Sequence, residues 1–131
     1  MAQEIFCCGC SEKVIARLTN GAEIYPHRPD LHDKPIWICD TCKNYVGCHH
    51  KTSNPTKPLG CIPTPEVMNA RKHIHAILDP LWQSGMVKRK RIYGMLSTRI
   101  GYQYHTGNIR SIEEAREIYK LIKKYAETGE I

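Results

Sequence analysis

Two Cys-x-x-Cys pairs, Cys7/Cys10 and Cys39/Cys42, carry the sharpest chemical signal in the chain. Zn2+ prefers four soft ligands in a tetrahedron, and each such pair presents two thiolates from one tight turn. Two turns, each beside a strand, can close around a single ion. The spacing therefore predicts one structural Zn2+ held by Cys7, Cys10, Cys39 and Cys42. Residues 11–38 separate the pairs, more than in the commonest compact fingers, and a ribbon can absorb that length as an inserted loop. There are seven cysteines in all. An odd count, with no basic and apolar leader at the N-terminus, speaks against a disulfide framework. Cys8, inside the first turn, reads as a spectator, and Cys61 as a small buried residue. Cys48 or His49 is the alternative for one of the four ligands. A second ion held by His49, His50 and an acid is a lesser alternative.

The second signal is cationic. The formal net charge of the 131-residue chain is +6. Residues 1–63 hold 7 Lys/Arg against 6 Asp/Glu, a balance of +1, and residues 64–131 hold 12 against 7, a balance of +5. An anionic partner would meet the second half. Lys88-Arg89-Lys90-Arg91 is its densest run. Four cations at a helix start repel one another and oppose the helix dipole, at about 0.3–1 kcal/mol each when exposed. A phosphate backbone would relieve that cost and make affinity salt-dependent. A helix, a turn and a capped helix over 88–125 would also bring Arg110, Arg116 and Lys120 toward a groove. DNA or RNA is thus the favoured partner. A solvated, highly charged helix start is the plain structural alternative.

A third stretch, residues 25–35 (YPHRPDLHDKP), is too rigid for a flexible linker and too polar for a core strand. Pro26, Pro29 and Pro35 fix φ at three points. The favoured reading is a structural clamp, with Arg28 paired to Asp30 and with Tyr25 and Leu31 tucked onto the ribbon. The competing reading is a working surface of Tyr25, Arg28, Asp30 and His32. Asp30, His32 and Asp33, with His49 and His50, would then be the catalytic candidates, holding an ion or acting as acid and base.

These residues need elements to position them. Lys13–Leu18 reads as a strand, Asn20-Gly21 as a hairpin turn, and Glu23–Tyr25 as the return strand. Ile36–Ile38 reads as a third strand running into Cys39, and Asn44–Gly47 as its continuation. Residues 51–63 read as a Pro-, Ser- and Thr-rich linker. Thr64-Pro65-Glu66 opens a helix whose apolar face is Val67, Ala70, Ile74, Ile77 and Leu78, ended by Asp79-Pro80. A second helix is predicted from Lys88 to Ile100, with Ile92, Met95, Leu96 and Ile100 inward and Gly101 as its cap. Ser111 and Glu114 form a capping box that opens a third helix, running to about Tyr125. The fold class is therefore α+β. A zinc-ribbon region (1–50) and a linker (51–63) precede a basic three-helix region (64–131), packed on the ribbon as one unit. No apolar stretch approaches the roughly 18 residues that a membrane span needs, so a cytoplasmic setting and no membrane partner are expected.

Taken together, the first Cys-x-x-Cys, GAEIYPHRPDLHDKPIWICDTC, YVGCH and RKHIHAILDPLW resemble a zinc-finger-containing domain family of bacteriophages and prophages. The likeness covers most of the chain, and its last part, YQYHTGNIRSIEEAREIYKLI, matches only loosely. It implies a zinc-binding phage-associated protein in a bacterial host cell and brings no activity with it. Three functional readings follow from the residues. The first is a nucleic-acid-binding accessory protein using the basic helical surface. The second is an adaptor or inhibitor gripping a host protein through Trp37, Trp82 and the tyrosines at 93, 102 and 104. The third is a metal-dependent nuclease built on Asp30, His32 and His49.

Overall fold

In the computed structural model, which describes residues 1–131, the N-terminal unit spans Met1–Pro65. It is built on a four-stranded antiparallel sheet in the order β1-β2-β3-β4: β1 Ala2–Cys7, β2 Glu12–Asn20, β3 Pro35–Ile38 and β4 Tyr45–Gly47. Strand alternation explains the faces. Along β2, Val14, Ala16 and Leu18 turn toward the core while Ile15 and Arg17 face solvent. Ile5, Ala16, Trp37, Val46 and Ile62 pack together with the cysteines. Trp37 is 1% exposed, and its indole N–H donates to the Thr56 carbonyl at 2.7 Å.

The pairing differs from the expected one at one place. Asn20-Gly21 makes no hairpin, and Glu23–Tyr25 is not a return strand. Asn20 is extended, and its side-chain oxygen accepts from the Ala22 and Glu23 N–H groups, opening the short helix α1, Gly21–Ile24. An Asx cap competes with the turn for the same residue, and here the cap prevails. The strand returning beside β2 is β3, with Asn20 opposite Pro35 and Arg17 opposite Ile38. The hairpin partner on the other side is β1, with Cys7 opposite Glu12. Residues 51–63 lie within this unit rather than apart from it. Ile62 is fully buried and bridges Cys7. Its N–H donates to Phe6 C=O at 2.9 Å, and its own C=O accepts from Cys8 N–H at 2.8 Å. The Leu59 N–H reaches Gly47 C=O at 2.9 Å.

The second unit, Glu66–Ile131, carries α2 (Pro65–Gln83, its first residue in the preceding unit), α3 (Arg89–Ile100) and α4 (Ile112–Thr128). Their apolar faces follow the helical period. Ile74, Leu78, Ile92, Leu96, Ala115, Ile118 and Ile122 form one core with Tyr104 and Ile109. Gly101 caps α3 with φ 87°, and Ser111 Oγ accepts from the Glu114 N–H at 3.1 Å to start α4. Pro80 does not end α2; the helix continues to Gln83. Leu81 beyond it is buried in the core, and the Trp82 N–H bonds Asp79 Oδ1 at 3.2 Å. That packing outweighs the missing donor of an exposed proline. Arg71 is 8% exposed, and it donates to the Ile109 carbonyl through Nη2 at 2.6 Å.

Candidate metal centre and basic surface

The register of the sheet brings the four thiols together. β1 and β2 meet at the first Cys-x-x-Cys turn, and β3 and β4 meet at the second. Because β3 runs antiparallel to β2, both turns lie at one end of the sheet. The sulfurs of Cys7, Cys10, Cys39 and Cys42 all lie within 4.8 Å of one another. Cys7 Sγ is 3.4 Å from Cys42 Sγ, and Cys10 Sγ is 3.7 Å from Cys39 Sγ. A tetrahedron with Zn–S bonds of about 2.3 Å has S···S edges of about 3.8 Å. A disulfide would need about 2.05 Å, and all seven cysteines are free. The four thiols therefore fit one structural Zn2+.

The two turns are built alike. Ser11 and Lys43, each directly after the second cysteine of its pair, take left-handed backbone with φ 57° and 66°. A non-glycine residue there costs about 1–2 kcal/mol. The Lys43 N–H donates to Cys39 C=O at 2.7 Å and closes the second turn. Burial raises the Cys39 thiol, but hydrogen bonds from the Cys42 and Thr41 backbone N–H groups and from the Cys42 and Cys10 thiols together bring it down to about 7. Burial pushes Cys7 up to about 12. Gly9 leaves room for the cluster: a Cβ there would meet Asn44 Nδ2 at 2.6 Å and Cys42 Sγ at 3.3 Å. Asp40, inside the second turn, is fixed from β2. Arg17 forks onto it at 2.9 Å through Nε and Nη2, and also reaches both oxygens of Glu23 in α1.

The alternative ligands stay outside this cluster. Cys48 is buried in the sheet core and bridges Pro58, and burial raises its thiol. The His49 N–H serves Lys57 C=O at 2.9 Å. His49 and His50 follow β4 at the end of the sheet where the 21–34 connection departs. They form no group of three or more ligating side chains with Asp30, His32 or Asp33. In that connection Arg28 grips Asp30 at 3.0 and 2.9 Å, and His32 Nε2 lies 3.0 Å from Pro26 C=O. The Tyr25 hydroxyl reaches the Tyr45 hydroxyl at 3.1 Å, and the two rings meet edge to face at 5.7 Å. Tyr25 and Leu31 are half-buried. The segment has the geometry of a clamp. Arg28 holds the Asp30 carboxyl below its ordinary range.

On the helical unit, Lys88, Arg89, Lys90 and Arg91 are exposed at the start of α3. Ion pairs engage Lys13, Arg17, Arg28, Lys43, His75 and Lys120 among others, and none reaches Lys88, Lys90 or Arg91. Arg110 and Arg116 are exposed along the start of α4, and Lys120 pairs with Glu117 at 3.6 Å. Of the proposed aromatic anchors, Trp37 and Tyr104 are core residues at 1% and 4% exposure. Trp82 and Tyr93 instead flank Arg89, a triad that the sequence signals only by the i, i+4 spacing of Arg89 and Tyr93. The Arg17 fork left no sequence signal, because its partners join it only through the sheet register and α1.

Residues 3–127 match the family model described as a zinc-finger-containing domain. No curated protein and no solved structure matches the chain.

Proposed function

The chain belongs to the zinc-finger-containing domain family, and from that premise we propose that it is a nucleic-acid-binding accessory protein, held in shape by zinc, whose basic helical unit contacts the phosphate backbone. The observation that carries this reading is the start of α3. Lys88, Lys90 and Arg91 are exposed and have no carboxylate within ion-pair range, although each cation there opposes the helix dipole at about 0.3–1 kcal/mol. A polyanion relieves that opposition and releases counterions on binding. Arg110 and Arg116 extend the same charge along α4. The connection from Gly101 to Ser111 is longer than the three- to four-residue turn of a helix-turn-helix, which favours backbone contact over insertion of a recognition helix. A phage or prophage setting inside a bacterial host cell belongs to this proposal.

Two observations weigh against the other readings. Asp30 is held by Arg28 and does not assemble with the histidines that a nuclease would need. Two of the aromatic anchors that an adaptor would use are buried. The test is affinity for labelled DNA and RNA oligonucleotides across a salt series. The wild type is expected to lose affinity steeply with salt, at about 0.9 log units per log unit for each phosphate neutralised on duplex DNA. Replacing Lys88, Lys90 and Arg91 together with Ala is expected to lower that slope by about 2–3. Binding that ignores salt, or a slope untouched by the triple substitution, overturns the reading.

A further inference from the structure

The basic run is not uniform. Arg89 differs from the cations around it. Its guanidinium carbon lies over the Trp82 ring, 5.3 Å from the centroid, and over the Tyr93 ring at 4.7 Å. Both rings are themselves anchored. The Trp82 N–H donates to Asp79 Oδ1 at 3.2 Å, and Asp79 Oδ2 lies 3.1 Å from His75 Nδ1. Tyr93 meets the buried Tyr104 edge-on at 5.3 Å, and the Tyr104 hydroxyl pairs with Thr106 Oγ1 at 2.6 Å. Arg89 is thus exposed yet held, and no acceptor in the protein takes its guanidinium N–H groups. The other arginines held in place are committed elsewhere: Arg17 to Glu23 and Asp40, Arg28 to Asp30, Arg71 to the Ile109 carbonyl.

We propose that Arg89 is a pre-oriented fork for one phosphate of a nucleic-acid backbone, with Lys88, Lys90 and Arg91 around it as mobile point charges. This rests on the nucleic-acid reading and names the residue that gives the surface its geometry. Contact over a ring engages the charge of a guanidinium. Its N–H donors lie in its own plane, spaced for two phosphate oxygens. An exposed long side chain loses rotamer freedom when it binds, and the two rings remove part of that cost beforehand. Lysine at this position keeps the charge and loses the fork. Affinity should then fall while the number of counterions released stays the same.

The experiment uses the zinc-loaded full chain and a fluorescein-labelled oligodeoxynucleotide, as a single strand and as its duplex, with anisotropy read across a salt series. Arg89→Lys is expected to bind about tenfold more weakly with an unchanged salt slope, on both forms alike. Trp82→Phe, which removes the indole N–H anchor and leaves every charge in place, is expected to lose part of the same affinity. Arg89→Lys binding like the wild type overturns the fork and leaves the nucleic-acid reading standing. A loss confined to the single strand places Arg89 on a base and also overturns it. A wild type with no salt-dependent binding overturns the fork and the broader reading together.

Discussion

At position 21 an added Cβ would run into the backbone carbonyl of Leu31. The Gly21 N–H also donates to Lys34 C=O at 3.0 Å, so the first residue of α1 lies directly against the chain returning to β3. Glycine is required there by close approach, not by a positive φ. Gly21→Ala is expected to cost about 3 kcal/mol or more, since backbone cannot yield as a side-chain tip does; a urea denaturation midpoint within error of the wild type would remove that role. Two residues on, Arg17 first, and then Thr19, hold the Glu23 carboxyl down from 4.5 to about 2. A folded pKa depressed in this way contributes stability above pH 4.5 that is lost as pH falls through about 2. Glu23→Gln should therefore lose less stability than the wild type across that window. Zinc release on acidification is common to both proteins and cancels in the comparison. Parallel acid curves from thermal melts would contradict this account of Glu23.

Among the elements, α2 shows how packing overrides a local signal. Pro80 lacks an N–H and its ring crowds the preceding turn, yet Leu81 and Trp82 follow it in register with the core. The proline is exposed, so its ring makes no core contact that a substitution would forfeit. Pro80→Ala is expected to stabilise the helical unit by about 2 kcal/mol, the propensity difference less the entropy regained by the unfolded chain. An unchanged or lowered denaturation midpoint would show that the ring has a packing role. The start of α4 was readable in sequence as a capping box, and half of it forms as expected. Glu114, however, turns its carboxylate to the Arg110 N–H at 2.8 Å and the Tyr102 hydroxyl at 2.7 Å. The box thereby ties the 102–110 connection to the helix it opens.

For the whole molecule, two separate cores carry different dependences on metal. The ribbon core includes Cys7 and Cys39 themselves, whereas the helical core is built of aliphatic residues with Tyr104 and contains no cysteine. Metal binding and folding are one equilibrium in a unit of the first kind. Chelation, or Cys39→Ser, is expected to strip hydrogen-exchange protection from β1–β4 while the far-UV helical signal of α2–α4 persists. Retained protection in β1–β4 after complete chelation would show that the sheet folds without the ion. No helix is long and apolar enough to cross a membrane.

The sequence by itself determined what depends on spacing along the chain. The two Cys-x-x-Cys pairs, the helical period of Ile92 and Leu96 or of Ile118 and Ile122, the Gly101 cap and the Ser111 cap are all set within one or two turns of backbone, where local geometry decides. The Arg28–Asp30 pair was legible for the same reason, since it spans two residues. Only the tertiary structure decided which strand returned beside β2, because Asn20 satisfies a hairpin and a helix cap equally well until Leu31 and Lys34 come against Gly21. It also placed Ile62 on Cys7, set Arg17 between Glu23 and Asp40, and brought Trp82 of α2 to Arg89 of α3. Those pairings join residues that are far apart in the chain or on different elements. Their energies exist only once the register of the sheet and the packing of the helices have brought the groups within reach.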